Sequence, residues 1–319
     1  MHLTSVSISR VKAQDALIWL KLCYRAKNMS LPDDTSDLLK LFLSAPAEVA
    51  ANRFLAWLGD RPIAGWRLER FEDVVEIKDL FVLREYISPY GSQIINQLTQ
   101  EAARPDEVLL IYGYPEAYNE MLRVVGFKVY ERMIMLKSLH DYQIQIANLP
   151  PGLHLRAPRS EDEQLAASLA YQNYQGTIDQ EMICSSENQA SMMMHDIFGG
   201  TYCRFDRQSS FLLEDEQGKL IGNIFLGNRS SLDLDKLMWI LDVSLSPQWR
   251  GKGLGRALLI HSLNAAKIKG YSKVGLIVTV GNASAIALYR ALHFHRHGDS
   301  IYEAVLRCPP QTNFMGEDR

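Results

Sequence analysis

The sequence predicts an α+β fold, a mixed central sheet flanked by helices, written twice in tandem. Three observations predict it. A chain of 319 residues with 47% hydrophobic content can fill two cores of roughly 150 residues each. A faint internal repeat with a period of about 160 residues marks duplicated domains rather than a solenoid. Each copy also alternates short β-branched or apolar runs with helix-periodic stretches.

Taken in order, Ile8 to Tyr24 runs from a short strand into a helix through polar residues. Phe54 to Gly65 is a hairpin whose second strand is entered through two apolar residues and a glycine. Asp79 to Leu83 is a further strand, and Arg84 to Ser92 follows it. Asn148 to Leu153, with two prolines and a glycine and no apolar period, is the expected linker. The second copy repeats the plan. Leu155 to Tyr171 matches the first strand and helix, Phe211 to Gly222 matches the hairpin, and Asp242 to Ser246 matches the strand. Leu292 to His297 likewise matches Val125 to Tyr130. The expected domains are therefore 1–147 and 154–308, joined by 148–153, with a polar tail at 309–319.

The most informative stretch starts at Leu241. An apolar run ends in Ser246 and Pro247, Gly251, Gly253 and Gly255 alternate with Lys252 and Leu254, and Ala257, Leu258, Ser262 and Ala266 then repeat at helical spacing. A strand, a glycine turn and a helix expose successive backbone N–H groups at the positive end of a helix dipole, where an anion binds. Glycines allow close approach of a diphosphate and the turn conformations it needs. Arg250, Lys252 and Arg256 add positive charge. The spacing fits neither a P-loop nor the G-x-G-x-x-G dinucleotide fingerprint. Downstream, Lys273 to Val280 reads as a buried strand. Asn282 to Leu292 reads as a helix with Asn282 as N-cap and Ile286, Tyr289 and Leu292 on one face.

Gln248, Gly251 and Gly253 resemble the Q/R-x-x-G-x-G/A signature of the GNAT (Gcn-five-related N-acetyltransferase) superfamily. The helix from Asn282 resembles its second signature, N-x-x-A-x-x-L-Y-x-x-x-G-F, with His293 in place of the glycine before Phe294. Histidine tolerates positive φ better than most residues. The resemblance implies an acetyl-CoA-dependent N-acetyltransferase with the diphosphate on Gln248, Arg250, Gly251, Lys252, Gly253, Leu254, Gly255 and Arg256. It also implies pantetheine amides paired with the strand end at Val243 and Leu245, and a contact from Asn282 to the cofactor arm, with simple capping as the alternative. Tyr289 is the expected acid for the departing thiolate. Asp242 is a candidate base, the second member of an acidic pair whose first position is Leu241; strand alternation sends these two side chains to opposite faces. Glu214 is a weaker base candidate, and a water chain is a third.

The connection from Tyr171 to Asp206 is expected to build the acceptor site with Tyr171, Tyr174, Asp179 and Glu181. Met192, Met193 and Met194 read as core residues of a helix. His293, His295 and His297 alternate as on a solvated strand face, and no metal is expected. Cys184 and Cys203 lie in the acceptor region without a histidine partner by spacing, so direct attack in a ternary complex is expected rather than an acyl-cysteine. In the first copy the glycine turn is replaced by Arg84 to Ser92, where only Gly91 remains and Pro89 removes a donor, and Leu122 stands at the position of Tyr289. That copy reads as degenerate, the layout of tandem members of the family.

A net charge of −3 gives no general attraction to nucleic acid or anionic membrane. No signal peptide or spanning segment is evident, and four scattered cysteines suggest neither zinc nor disulfides, so a cytoplasmic protein, monomer or homodimer, is expected. The acceptor expected is a primary amine of a small molecule; a protein or peptide N-acetyltransferase and a non-catalytic acyl-CoA-binding module are the alternatives.

Overall fold

In the computed structural model, which describes residues 5–46, 49, 52–228 and 236–309, the chain passes between two units twice, at Tyr130/Glu131 and at Ser300/Ile301. The first unit starts with β1 (Val6–Arg10), α1 (Ala16–Ala26) and α2 (Ser36–Leu43). The strands β2 (Arg53–Leu58), β3 (Arg61–Phe71) and β4 (Val74–Val82) form an antiparallel meander. Then come α3 (Arg84–Ala102), β5 (Val108–Tyr114) and α4 (Asn119–Val125). β4 and β5 pair in parallel through the crossover helix α3, as a parallel pair requires. Ile94, Ile95 and Leu98 of α3 are fully buried against the sheet, one apolar stripe at helical spacing.

The second unit begins within β6 (Lys128–Ser138) and continues with β7 (His154–Arg156). Three helices follow: α5 (Glu163–Tyr174), α6 (Gln180–Ile183) and α7 (Glu187–Gly199). The strands β8 (Arg204–Phe205), β9 (Phe211–Glu214), β10 (Leu220–Asn228) and β11 (Leu237–Leu245) come next. The unit closes with α8 (Leu254–Ile268), β12 (Lys273–Thr279), α9 (Ala283–Ala291) and the start of β13 (His295–Arg307). Its strand order β7-β9-β10-β11-β12-β6 repeats the order β1-β2-β3-β4-β5-β13 of the first unit, each with one parallel pair, β11 with β12 and β4 with β5. The duplication expected from the sequence is therefore present as the same mixed, mostly antiparallel strand order flanked by helices in each unit.

The position after β5 or β12 is filled differently from what sequence order suggests. β12 pairs antiparallel with Arg132–Ser138 of β6, residues that precede the expected linker. β5 pairs antiparallel with Tyr302–Arg307 of β13, near the end of the chain. Each sheet thus receives the last strand of the other copy. Met133 and Met135 enter the core of the second unit, and Ala304 that of the first. The stretch after β6 stays with the second unit: the Tyr142 hydroxyl donates to Asn264 Oδ1 at 2.9 Å and Asn264 Nδ2 donates to the Gln145 carbonyl at 2.7 Å. The compact units consequently divide at 130/131 and 300/301 rather than at 148–153. The repeat could not reveal this, because two strands of equal pattern fit either sheet. Residues 310–319 of the expected tail lie outside the described residues.

In the first unit β4 runs directly into α3, with Leu83 at the N-cap and Pro89 inside the helix, and no glycine turn intervenes. The Tyr118 hydroxyl accepts from the Val82 N–H at 2.8 Å and reaches the Val82 carbonyl at 3.3 Å. Val82 is the repeat counterpart of Leu245, so a phenol sits at the strand end that corresponds to the expected cofactor edge of the second copy. Leu122 is fully buried core.

Candidate active site

β11 and β12 pair only at Leu237–Trp239 against Lys273–Gly275, yet β11 runs on to Leu245 and β12 to Thr279. The strands splay where pairing stops. A cavity of about 890 Å³ opens between them, lined from β11 by Ile240 to Leu245, from β12 by Leu276 to Thr279, and by Tyr289 of α9. At its mouth the chain turns through Gly251 and Gly253, whose φ values are +74° and +79°, and enters α8 with Gly253 as its N-cap. A side chain at either glycine would be strained by roughly 1–2 kcal/mol, and an added Cβ would point into open space. The first turn of the fifteen-residue α8 thus presents its N–H groups and the positive end of its dipole to the cavity. These features fit a diphosphate. Gly255 instead packs closely against α9: a Cβ there would lie 3.2 Å from the Leu288 side chain.

Of the residues expected at this loop, Arg250, Gly251, Gly253, Leu254, Gly255 and Arg256 line the cavity, and Gln248 and Lys252 do not. Lys252 Nζ lies 4.7 Å from the centre of the Trp249 ring. Arg250 donates from Nε to the Leu245 carbonyl at 3.0 Å and from Nη2 to the Asn173 carbonyl at 2.6 Å. Asn282 caps α9, accepting the Ala285 N–H at 3.2 Å on Oδ1, and donates from Nδ2 to Asp179 Oδ2 at 3.1 Å.

Asp242 is 4% exposed and lies on the cavity wall. The register between β10 and β11 slips between Phe225 and Leu226, so Leu241 is an extra residue on β11. Such a bulge re-aims side chains. Leu241 packs in the cluster of α5 and α7, and Asp242 accepts from Tyr174 of α5 at 2.8 Å on Oδ1. Both side chains therefore face the α5 side, contrary to the alternation expected from the sequence. Asn223 Nδ2 donates to Asp242 Oδ2 at 2.5 Å. Burial pushes the Asp242 carboxyl above the usual carboxylate range, against the opposing effect of these donors. Burial, reinforced by Asp242, raises the Tyr174 phenol well above its ordinary value. Tyr289, 7% exposed, is raised by burial and by Asp242 and Asp179, so it holds its proton throughout the neutral range.

From the acceptor connection, Tyr174, Asp179 and Met193 line the cavity, and Tyr171 and Glu181 do not. Asp179 is buried and accepts from Thr279 and Asn282, fastening the loop after α5 to the ends of β12 and α9. Met194 is fully buried core, as expected. Glu214 lies away from the cavity, bonded to Arg156 at 2.7 Å. Cys184 is fully buried, and burial, with Asp242 nearby, pushes its thiol up to about 12, so it is inert as a nucleophile at neutral pH. His293 adopts φ +61°, the conformation that the family's glycine would take. Among the described residues no group of three or more side chains could hold a metal ion, and no helix is long and apolar enough to cross a membrane.

Sequence reasoning missed Arg132, Asn173, Asn223 and Thr279. Arg132 lines the cavity from β6, directly opposite Thr279, and lies outside the expected catalytic segment. Its proximity opposes the rise of both tyrosines. Only strand pairing places it there.

A splayed parallel pair, a glycine cradle at a helix N-terminus and a buried carboxylate with a tyrosine thus meet in one α+β unit. Residues 177–294 match the model of the Acetyltransferase (GNAT) family. The chain is 30% identical over 100 residues to N-acetyltransferase family 8 member 3 of Rattus norvegicus, covering 31% of this chain and 44% of that protein. It is 24% identical over 212 residues to a mycothiol acetyltransferase of Renibacterium salmoninarum, covering 63% and 58%. The chain thus spans about half the length of the curated relatives it matches. Its fold is similar to that of a tandem GNAT protein from the clavulanic acid biosynthesis pathway, with a TM-score of 0.54, 15% identity and coverage of 96% and 99%.

Proposed function

We propose that the chain is an acetyl-CoA-dependent N-acetyltransferase acting on a primary amine of a small molecule, by direct attack in a ternary complex. The observation that carries this reading is the joining of two features in one cavity: the glycine cradle of Gly251 and Gly253, and the pair Asp242 and Tyr289. Acetyl-CoA supplies a thioester carbonyl and a thiolate leaving group. The N–H groups of the first turn of α8 hold the diphosphate, and the β11 edge at Val243 and Leu245 receives the arm. Asp242 takes the proton that the amine must lose, and Tyr289 donates its hydroxyl proton to the departing sulfur and regains one from solvent. Ile178, Ile183 and Met193 line the cavity and give apolar surface suited to the hydrocarbon part of a small amine. The Tyr118 contact and the uninterrupted α3 of the first unit support a single cradle among the described residues.

Release of free thiol from acetyl-CoA, screened over small amines and peptides, tests the reading and identifies the acceptor. Tyr289→Phe keeps the packing and removes the hydroxyl; kcat should fall about 100-fold, with acetyl-CoA affinity unchanged by calorimetry. Full turnover at every pH would remove Tyr289 from the chemistry.

The raised Asp242 gives a pH prediction. The ionised form is the active one, so kcat/KM rises with pH through its pKa. Burial moves that rise above the value of about 4 of an ordinary carboxylate. Asp242→Asn should remove the rise attributable to this group and lower kcat about 100-fold, as a pH–rate profile with one acceptor would reveal. An unchanged profile would exclude Asp242 as the base.

A further inference from the structure

We propose that Arg250 is a positioning residue for the acceptor side of the site rather than a ligand of the diphosphate. This rests on the reading of Asp242 as the base. Arg250 neighbours Gly251, where the sequence suggests a phosphate contact, but its guanidinium bridges two backbone carbonyls, those of Leu245 and Asn173. Leu245 ends β11 and Asn173 lies in the last turn of α5. The last carbonyls of a helix have no partner within it and carry the negative end of its dipole. Arg250 therefore supplies a cation and a donor to the C-terminus of α5, and holds that turn against the strand carrying the base.

The turn held in this way carries the groups that reach Asp242. Asn173 Nδ2 donates to Ser244 Oγ at 3.0 Å, Ser244 Oγ donates to Asn223 Oδ1 at 2.8 Å, and Asn223 Nδ2 donates to Asp242 Oδ2 at 2.5 Å. Tyr174, the next residue of the same turn, donates to Asp242 Oδ1 at 2.8 Å. An ionised carboxylate only accepts, so its charge sets the direction of every link: all donors point toward Asp242 and polarise one another. Asn173 and Asn223 are 2% and 0% exposed, so water does not compete for these bonds. A frayed last turn would withdraw Asn173 and Tyr174 together, removing the donor to Asp242 Oδ1 and the support of the Ser244–Asn223 link.

Arg250 is exposed, so its variants should fold. The test uses the full chain with Arg250→Gln and with Arg250→Lys, whose single nitrogen cannot span both carbonyls in the geometry of the guanidinium. Expected are a dissociation constant for coenzyme A within about threefold of the parent by calorimetry, a kcat lowered tenfold or more, and faster amide exchange in the last turn of α5. The acidic limb of the pH–rate profile should move to higher pH, because Asp242 loses the Tyr174 donor while the charges of the titratable and charged groups around it (Tyr174 on α5, Asp179 and Cys184 flanking α6, Tyr289 on α9 and Arg132 on β6) stay the same. Coenzyme A affinity lowered tenfold or more, with kcat and exchange at α5 unchanged, would overturn the proposal and make Arg250 a diphosphate ligand. Unchanged exchange at α5 overturns it independently of catalysis. Full activity of Asp242→Asn would instead remove the reading of the base, and leaves the exchange result to decide the role of Arg250 in holding α5.

Discussion

Gly253→Glu is expected to abolish acetyl-CoA binding while the protein stays folded. Position 253 lies at φ +79°, so any side chain costs about 1–2 kcal/mol of strain, well within a typical stability of about 5–15 kcal/mol. The added side chain points into open space and meets no core residue. Its carboxylate would stand at the positive end of α8, where the diphosphate is proposed to bind. Two like charges about 4 Å apart repel by about 4 kcal/mol at the effective dielectric of a protein surface, so affinity should fall by on the order of 100-fold or more. Gly253→Ala separates the effects, since it keeps the strain and adds no charge; it should bind far better than the glutamate variant. Calorimetric titration with acetyl-CoA checks both. Because the first unit has Tyr118 against Val82 and no glycine turn, no second site should remain in Gly253→Glu. Residual stoichiometric binding would place a cradle elsewhere in the chain.

A fragment starting at Leu153 should fail to fold, although it contains the whole second copy of the repeat. It lacks β6, whose residues Arg132 to Ser138 pair along the entire length of β12. Met133 and Met135 are 5% and 1% exposed in the core of the second unit. Losing a buried methionine side chain costs about 2–5 kcal/mol, and losing two, with a strand's hydrogen bonds, approaches the stability of a typical domain. The exposed edge of β12, rich in Val274, Leu276 and Val278, would then template aggregation. The fragment should also lose Arg132 from the cavity. Soluble expression and circular dichroism check this. A fragment of 131–300, which follows the observed boundary, should be markedly more soluble than one of 153–319. Equal solubility of the two would contradict the placement of β6.

The glycine cradle was legible in the sequence because it is local: consecutive residues set the turn, the cap and the helix face, and Gly251, Gly253 and Leu254 occupy those places. The cap at Asn282 and the left-handed His293 are legible for the same reason. So are the hairpins, the helix around Met194 and the duplication, since periodicity reports which face of an element is apolar. Charge and residue type also suggested Tyr174 and Asp179 as site residues, and the spacing of the family resemblance suggested Asp242 and Tyr289; all four line one cavity.

What tertiary structure alone decided are the features that depend on pairing between distant segments. The bulge at Leu241 is set by the register of β10 against β11, and it turns Leu241 and Asp242 to one side where alternation alone would separate them. Arg250 looks like a cradle cation in one dimension, and only the approach of α5 gives its guanidinium two carbonyls to bond. The exchange of final strands, which brings Arg132 opposite Thr279, leaves no local mark. A strand's hydrogen-bonding groups are the same whichever edge they meet, so the amino-acid sequence specified that two closing strands exist, and packing of the whole chain decided which sheet each one closes.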